Sequence, residues 1–337
     1  MTYRIQKADI TFNPPIYYCK KASKPFTLDG DIDKVFWNDA EYTSDFVDIE
    51  GDIRGKPRCL TRAKMLWDDN NLYFAAELWG DEIWAHVKER DAVIFQDNDF
   101  EIFIDPDSDT HHYYEFEINA LNTVWDLFLT KPYRDHGIPL NGWDIKGLRS
   151  AVKINGALND PTADNKRWTL EVVMPFEALK EANTYKKRPE KGDYWRINFS
   201  RVQWQVDVMD GKYVKKMHPI TGESLPEDNW VWSPTGVVNM HYPELWGFVF
   251  FCEDKEGYPI PDHEYVKWEL RQLYYAQHGH FNEKGCFTAD LKKLLQGRKL
   301  GLDICIEVTK SNFEMYCLTQ DGSQEIAILG DGKIIIR

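Results

Sequence analysis

The chain has 337 residues, 43% of them hydrophobic, which is enough for one large and one small folded unit with a real core. Its formal net charge of −14 disfavours nucleic acid and anionic membranes as partners, because both require a basic surface. The 13 tryptophans suit either a β-rich core or a surface that binds sugar faces or protein partners.

The first quarter of the chain predicts an irregular lead-in followed by short strands. Residues 1–25 include prolines at positions 14, 15 and 25, which interrupt regular structure. A helical turn is expected at residues 35–39, within "DKVFWNDA". The runs "AKMLW" and "LYFAAELW" then predict a hairpin, because the intervening "DDNN" tolerates turn geometry.

The stretch "NDFEIFIDPDSDTHHYYEFEIN", residues 98–119, predicts two strands with one acidic face. Alternate side chains of a strand project to opposite faces. The apolar set therefore faces one way, and the other face carries Asp99, Glu101, Glu115, Glu117 and Asn119. Such a face suits a metal site, a pair of catalytic acids or a surface that binds hydroxyl groups, and a merely solvated face is the remaining interpretation.

The rest of the chain divides into a strand-rich part and a mixed tail. Strand-like runs continue to residue 252, with one short helix expected at "PFEALKEA". Residues 26–253 therefore predict a mainly β fold, an antiparallel β-sandwich of the immunoglobulin or jelly-roll type. Beyond residue 254, "EYVKWELRQLYYAQHGHF" has helical spacing, and Thr288 is the expected N-cap of a second helix. Four strand-like runs follow, so residues 254–337 predict a small α+β unit.

Two acidic turns have a spacing that can place several oxygens around one hard cation such as Ca²⁺. Asp105, Asp107 and Asp109 form the first turn, and "DGDID" at residues 29–33 repeats the pattern. Neither continues as an EF-hand, and an acidic turn between strands needs no metal, so both interpretations stay open. The six cysteines lack C-x-x-C spacing, which disfavours a zinc site. The sequence also has no phosphate-binding loop, so nothing in it points to an organic cofactor.

Paired carboxylates are a second possible use of the acidic face. Glycoside hydrolysis requires two carboxyl groups across the sugar bond, one of them with a raised pKa. Glu101 and Glu117 can lie near one another across the strand pair. Burial determines their pKa values, however, and an acidic strand face is also common in proteins without any catalytic role.

Sugar binding is a third possible use. Carboxylates accept hydrogen bonds from sugar hydroxyls, Arg and Asn supply donors, and an indole covers the apolar face of a pyranose. If extended, Trp230 and Trp232 share a face and can form a platform, or they can pack against the end of the sandwich. The candidate ligand-binding residues are Glu101, Glu117, Asn119, Trp125, Arg201, Trp204, Trp230 and Trp232.

The order of motifs over residues 26–252 resembles carbohydrate-binding module family nine. The motifs are "LDGDIDKVFWNDA", "AKMLWDDNNLYFAAELWG", "NDFEIFIDPD", "YYEFEINA", "RWTLEVVMPFEAL", "GDYWRINFSRV" and "HYPELWGFVFF". The resemblance implies an antiparallel β-sandwich, often attached to xylanases and other glycoside hydrolases, that binds sugar chain ends and carries structural calcium.

The resemblance carries over to the binding residues only in part. Glu101 matches a family glutamate that bonds sugar hydroxyls, but Glu117 stands where the family has an arginine. The two clamping tryptophans of the family fall near Phe95 and Met240, and its side-chain amide falls at Ser200, beside Arg201. The scaffold therefore matches the family better than the pocket does.

The predicted function is non-catalytic carbohydrate binding in polysaccharide degradation, with an oligo- or polysaccharide as the ligand. The alternatives are a glycoside hydrolase acting through Glu101 and Glu117, or a protein-interaction module that uses aromatics such as Trp204 and Trp230 or the C-terminal unit. A family-like role implies an extracellular or periplasmic location. The start "MTYRIQKADI" has no signal-peptide core, which favours the cytoplasm instead, and no apolar run predicts a membrane span.

Overall fold

The structure is a computed structural model that describes residues 5–253, 257–319 and 321–337. Among the described residues, strand residues outnumber helical residues about two to one, which confirms the predicted mainly β fold class. The strands of the larger unit are β1 (Ile16–Lys21), β2 (Val47–Asp48), β3 (Thr61–Trp67), β4 (Asn71–Trp79), β5 (Asp99–Asp105), β6 (Tyr113–Asn119), β7 (Val124–Leu129), β8 (Pro139–Leu140), β9 (Arg149–Asn155), β10 (Arg167–Pro175), β11 (Tyr194–Gln203), β12 (Val206–Met209), β13 (Lys212–Lys215), β14 (Asp228–Val231) and β15 (Gly247–Cys252).

Helices are short in the larger unit and longer in the tail. The α-helices are α1 (Phe176–Leu179), α2 (Asp262–Lys284) and α3 (Leu291–Leu295). Short 3-10 helices occupy Val35–Asp39, Gly51–Ile53, Ile94–Gln96, Tyr133–Asp135 and Pro243–Leu245. The tail strands are β16 (Cys305–Val308), β17 (Phe313–Leu318), β18 (Glu325–Leu329) and β19 (Ile334–Ile336). The predicted helical turn at 35–39, the helix at 176–179 and the two tail helices are thus confirmed.

The sandwich is one curled sheet whose two halves pack against each other. Its strand order is β8-β7-β6-β5-β11-β15-β1-β3-β4-β10-β9, and β14 pairs with β11 and with β2. Phe74 on β4 and Phe199 on β11 meet edge to face across the interior, with ring centroids 5.9 Å apart. The apolar sides of β5 and β6 belong to the same buried cluster, so the acidic side of these two strands lies outside this core.

Strand β1 corrects two of the expectations. The lead-in to residue 25 is not irregular throughout, since Ile16–Lys21 form a strand immediately after the two prolines. The sheet is also mixed, because β1 runs parallel to both of its neighbours, β15 and β3. Its buried residues, Tyr17 and Cys19, point into the core and join the two halves of the sandwich there.

The C-terminal unit consists of α2, α3 and a four-stranded antiparallel sheet in the order β16-β17-β18-β19. Asp290 caps α3 by accepting a hydrogen bond from the backbone N–H of Lys292, so the expectation for Thr288 is wrong. The backbone of Thr288 is instead bonded to the side-chain amide of Gln277. The predicted boundary at 253/254 borders residues 254–256, which lie outside the described residues, and it stays a prediction.

Buried ion pairs attach α2 to the sandwich. Glu264 on α2 lies 3.1 Å from Arg196 Nη1 on β11 and 2.5 Å from Lys267 Nζ. It also accepts hydrogen bonds from Tyr194 and Ser108, so both carboxylate oxygens are satisfied. Burial disfavours the ionised form of Glu264, but Lys267 and Arg196 outweigh it and lower the pKa to about 2. The C-terminal unit is therefore attached to the sandwich by buried charges that neutralise one another.

Replacing Glu264 by Gln is expected to lower the free energy of unfolding by about 3 kcal/mol at pH 7, because two buried cations lose their counter-charge. The folded-state pKa lies below the unfolded one, so this stabilisation is complete above pH 4.5 and is lost as the pH falls through about 2. Urea denaturation at pH 7 and pH 3 measures both effects.

Glu269→Gln on the same helix is the matched control, because the side chain of Glu269 is 38% exposed and pairs with Arg298 only at 3.7 Å. It is expected to change stability by less than about 1 kcal/mol. Equal losses in the two variants at pH 7 would show that the buried pairs do not hold the tail.

Candidate functional site

A single row of side chains crosses five strands on the acidic side of the sheet. Residues in register on neighbouring strands project to the same face. The pairings join Val231 to Ser200, Ser200 to Glu101, Glu101 to Glu117, and Glu117 to Trp125. We call this set the Glu101 row. It places two carboxylates side by side with an indole next to them.

The acids of this face are buried, whereas a solvated face would expose them. Glu101 is 5% exposed and Glu115 is 7% exposed, and Asp99 and Glu117 are covered still further. Asp99, Glu101 and Glu117 each have an oxygen within 4.8 Å of the others. Like charges directly opposite one another destabilise a strand pair. Such an arrangement indicates that this part of the sheet serves a purpose other than stability.

Burial is the main cause of unusual ionisation at this face. It raises the pKa of Glu101 to about 7, and it raises the pKa values of Asp99, Glu115 and Glu117 well above the ordinary range. The charged groups that act most strongly on these four carboxyls are themselves acids, which increases the effect. Perturbed carboxyls of this kind are typical of functional sites.

Aromatic and apolar side chains flank the Glu101 row. The backbone N–H of Phe95 donates to Glu117 Oε2 at 3.0 Å. On the other side, the partly buried Trp125 and Tyr133 pack against a cluster that contains Met240. The indole N–H of Trp125 is buried and has no hydrogen-bond partner among the described residues. Phe95 and Met240, the positions that match the family clamps, therefore border the row.

Asn119 lies on the acidic face, but its amide is committed to the protein. Its Nδ2 donates to Val87 O at 2.9 Å and to Asp97 Oδ2 at 3.0 Å. Its Oδ1 accepts from the backbone N–H groups of Leu121 and Thr123. These four bonds hold the turn after β6, so the amide orients the loop.

Arg201 lies on the opposite side of β11 from the Glu101 row. Its Nη1 donates to Thr61 Oγ1 and to Trp79 O, both at 2.9 Å, in the interior of the sandwich. Its guanidinium also stacks over the ring of Trp230, 5.3 Å from the centroid. The structure therefore separates Arg201 from Glu101 and Glu117.

Trp230 and Trp232 are buried in the core, which corrects the expectation of an exposed platform. They do share a face, but the register of β14 turns that face inward and leaves Val231 on the acidic side. Trp204 is also buried, and its indole N–H donates to Phe95 O at 2.9 Å. Trp204 thus supports the segment that carries Phe95. The ligand-binding roles of all eight residues stay predictions, and Trp125 alone of the four tryptophans lies on the row.

The first predicted metal loop is a compact group of acids beneath the C-terminal unit. Asp105, Asp107 and Asp109 have oxygens within 4.8 Å of one another, an all-oxygen set that fits a hard cation. Asp105 already accepts from the backbone N–H groups of Ser108 and Thr110, and Asp109 lies 3.1 Å from Lys333 Nζ. One oxygen of Asp107 is buried without a partner among the described residues and remains available as a ligand.

The second predicted loop is built differently. The acids at positions 29, 31 and 33 form separate ion pairs with Lys34, Lys153 and Arg167. Each carboxylate has its own base, so the loop does not gather its oxygens around one point. The structure thus favours ordinary salt bridges at residues 29–33.

A known protein family matches the part of the chain that contains Glu101, Glu117 and Trp125. Residues 28–186 match the family model described as carbohydrate family 9 binding domain-like. The resemblance to family nine is confirmed over this segment. The family-nine segment contains Glu101, Glu117 and Trp125, and its description supports carbohydrate binding without catalysis. No curated protein sequence matches the chain.

Three solved structures align with this chain. A candidate carbohydrate-binding protein from Bacteroides uniformis aligns with a TM-score of 0.51 and 16% identity, covering 71% of this chain and all of that one, which shows a common fold. A family nine module from Caldicellulosiruptor kristjanssonii in complex with cellotriose gives a TM-score of 0.46, 16% identity, and coverage of 73% and 98%. The module from the same organism in complex with glucose gives a TM-score of 0.45 and 16% identity, and the alignment covers 73% of this chain and 100% of that one.

No helix in the described ranges is long and apolar enough to cross a membrane.

The raised pKa of Glu101 predicts a stability that falls with rising pH. The folded-state pKa of about 7 exceeds the ordinary value of 4.5, so the stabilisation is complete below pH 4.5 and is lost as the pH rises through 7. Glu101→Gln is therefore expected to raise the free energy of unfolding at pH 8 by up to about 3 kcal/mol, and to change it little at pH 4.5.

Denaturation in EDTA at the two pH values measures this difference without bound metal. Glu89→Gln, at an exposed position, is the control and is expected to have no effect at either pH. A Glu101→Gln variant with the same stability as the parent at pH 8 would show that Glu101 ionises like a solvated acid.

Proposed function

We propose that this chain binds neutral carbohydrate, without catalysis, at the Glu101 row, and that it serves polysaccharide degradation. The single observation that carries the proposal is the register of β5, β6 and β7, which aligns Glu101, Glu117 and Trp125 within the family-nine segment. Carboxylates and an indole are the groups that sugar recognition uses most directly.

Each part of the row has a distinct task in this proposal. The carboxyl oxygens of Glu101 and Glu117 accept hydrogen bonds from neighbouring hydroxyls of one sugar ring. The ring of Trp125 covers the apolar face of the sugar, and its unpartnered N–H donates to a ring or hydroxyl oxygen. Tyr133 and Phe95 bound the site on its two sides.

The charge of the site also selects among sugars. Four acids surround the binding position, and Arg201 is directed away from it. A uronic acid or a sulfated sugar therefore brings a negative charge to a site without a basic side chain among the described residues, whereas neutral hydroxyls meet acceptors. We propose neutral oligosaccharides as the ligand class, and an extracellular or periplasmic location in keeping with that ligand.

Isothermal titration calorimetry against neutral mono- and oligosaccharides, including glucose and cellotriose, tests the proposal. We expect millimolar or tighter binding that Trp125→Ala weakens at least tenfold and that glucuronic acid does not reproduce. Trp79→Ala, which removes a 38% exposed indole from the other half of the sheet, is the control and should bind like the parent. Absence of binding to every sugar at millimolar concentration, with and without calcium, would reject the proposal.

A glycoside hydrolase remains the second candidate, because one observation favours it. Glu101 has a pKa of about 7 and stands directly opposite Glu117, as a general acid beside a second carboxyl would. Glu117 itself is buried with a raised pKa, however, whereas a nucleophile or base must be ionised. Turnover of chromogenic glycosides that Glu101→Gln abolishes would favour hydrolysis over binding alone.

Structural calcium at Asp105, Asp107 and Asp109 is a further part of the proposal. The unpartnered oxygen of Asp107 and the oxygen-only ligand set support it. A cation there would stabilise the loop on which α2 and the last strand rest. The protein-interaction alternative loses its basis in Trp204 and Trp230, which are buried, and the C-terminal unit is the remaining surface for it.

A further inference from the structure

The acids in and beside the Glu101 row lack the counter-charge that buried acids such as Glu244 and Glu264 have. Asp99 accepts a hydrogen bond from the backbone N–H of Val202 at 3.3 Å, and Glu117 accepts one from Phe95 at 3.0 Å. Within the described ranges, no Lys, Arg or His lies within ion-pair distance of Asp99, Glu101, Glu115 or Glu117. Buried carboxylates without a cation are strongly disfavoured.

Asp99 shows the deficit most directly. Its side chain is fully buried, and one of its oxygens, Oδ2, has no hydrogen-bond partner among the described residues. An oxygen of Asp99 lies within 4.8 Å of oxygens of Glu101 and Glu117. An unsatisfied buried acceptor next to two further carboxylates is what a cation site looks like without its cation.

The other two acidic groups found in the part of the chain that the structure describes differ in this respect. Asp126, which lies near Asp91 and Asp144, is paired with Arg90. The group at Asp105 has Lys333 and several backbone N–H groups. Among the three acidic groups found in the described residues, the one at the Glu101 row alone lacks a basic side chain.

The spacing of the three carboxylates suits Ca²⁺. Two oxygens bound to one Ca²⁺ at about 2.4 Å can be up to about 4.8 Å apart. Asp99, Glu101 and Glu117 meet this limit and supply only oxygen, which hard cations prefer.

We propose that Asp99, Glu101 and Glu117 bind one divalent cation of the Ca²⁺ class, and that this cation takes sugar hydroxyls as additional ligands. The cation site stands by itself, and its contact with sugar rests on the proposed function. Ca²⁺ accepts six to eight oxygens, so three carboxylates leave several positions for the ligand. Trp125, the register partner of Glu117, lies next to the three carboxylates.

The cation changes what the site can recognise. Carboxylates accept hydrogen bonds but do not bind the oxygen lone pairs of a hydroxyl, whereas a cation does. Two neighbouring hydroxyls of one sugar can then coordinate the cation and donate their protons to the carboxylates. The same cation neutralises the repulsion between Glu101 and Glu117.

Calorimetry with CaCl₂ on EDTA-treated protein tests the site without any sugar. An Asp107→Asn background removes the contribution of the loop at residues 105–109. We expect Asp99→Asn and Glu117→Gln each to weaken Ca²⁺ binding at least tenfold, and Asp164→Asn, a matched change at an acid whose side chain is 85% exposed, to leave it unchanged. Equal Ca²⁺ affinity in the Asp99→Asn variant and its parent would overturn the proposal.

Thermal unfolding distinguishes lost binding from lost folding. In EDTA, Asp99→Asn and Glu117→Gln remove like charge and should unfold at or above the parent temperature. On addition of calcium, the parent should become more stable while the two variants shift little. A variant that is less stable than the parent in EDTA but still gains as much from calcium would contradict a ligand role.

Sugar titrations in EDTA and in calcium separate this inference from the proposed function. Sugar binding that is lost in EDTA and restored by calcium supports both. Calcium binding without any sugar binding leaves the cation site intact and rejects the sugar contact and the proposed function. Sugar binding of equal strength in EDTA and in calcium supports the proposed function and rejects the bridging cation.

Discussion

Strand register is the constraint on which this structure depends. The pairing of β5 with β6 sends Phe100 and Ile118 into the core, so it necessarily places Glu101 opposite Glu117 on the other face. A slip of one residue would exchange the two faces and bury the acids in the centre of the sandwich. The apolar packing that stabilises the fold is therefore the same feature that holds two carboxylates together.

The carboxyl groups at the two ends of the acidic face have pKa values shifted in opposite directions. At the end nearest the tail, Arg196 and Lys267 surround Glu264 and keep its pKa near 2. At the other end, burial raises the pKa of Glu101 to about 7, and the charged groups nearest to it are acids. The first end is a closed, neutralised junction between two units, whereas the second has a charge that only something from outside the chain can balance.

The strong local patterns were predictable, and features that depend on long-range pairing were not. The alternation at residues 98–119 predicts the acidic face correctly, because period two is a property of the strand itself. The sequence left the direction of Trp230 and Trp232 open, because it depends on which face of β14 pairs with β11. Strand β1 was missed because its parallel partners lie far away in sequence. Tyr133, which packs with Trp125 against the same cluster, lies in a short 3-10 helix whose sequence has no periodic pattern of apolar residues.

The parallel seam between β1 and β15 has a consequence for how the protein is made. Tyr17 pairs with Val249, so the curled sheet cannot close until some 230 later residues have left the ribosome. The segment 28–186 lacks β1, β11 and β15, the strands through which the two halves are joined. The matched segment by itself therefore does not contain the strands that close the sheet. During synthesis, the edges of β5 and β3 that pair with β11 and β1 in the folded protein stay unpaired until the last strands of the sandwich are made. Unpaired edges of this kind can associate with other chains.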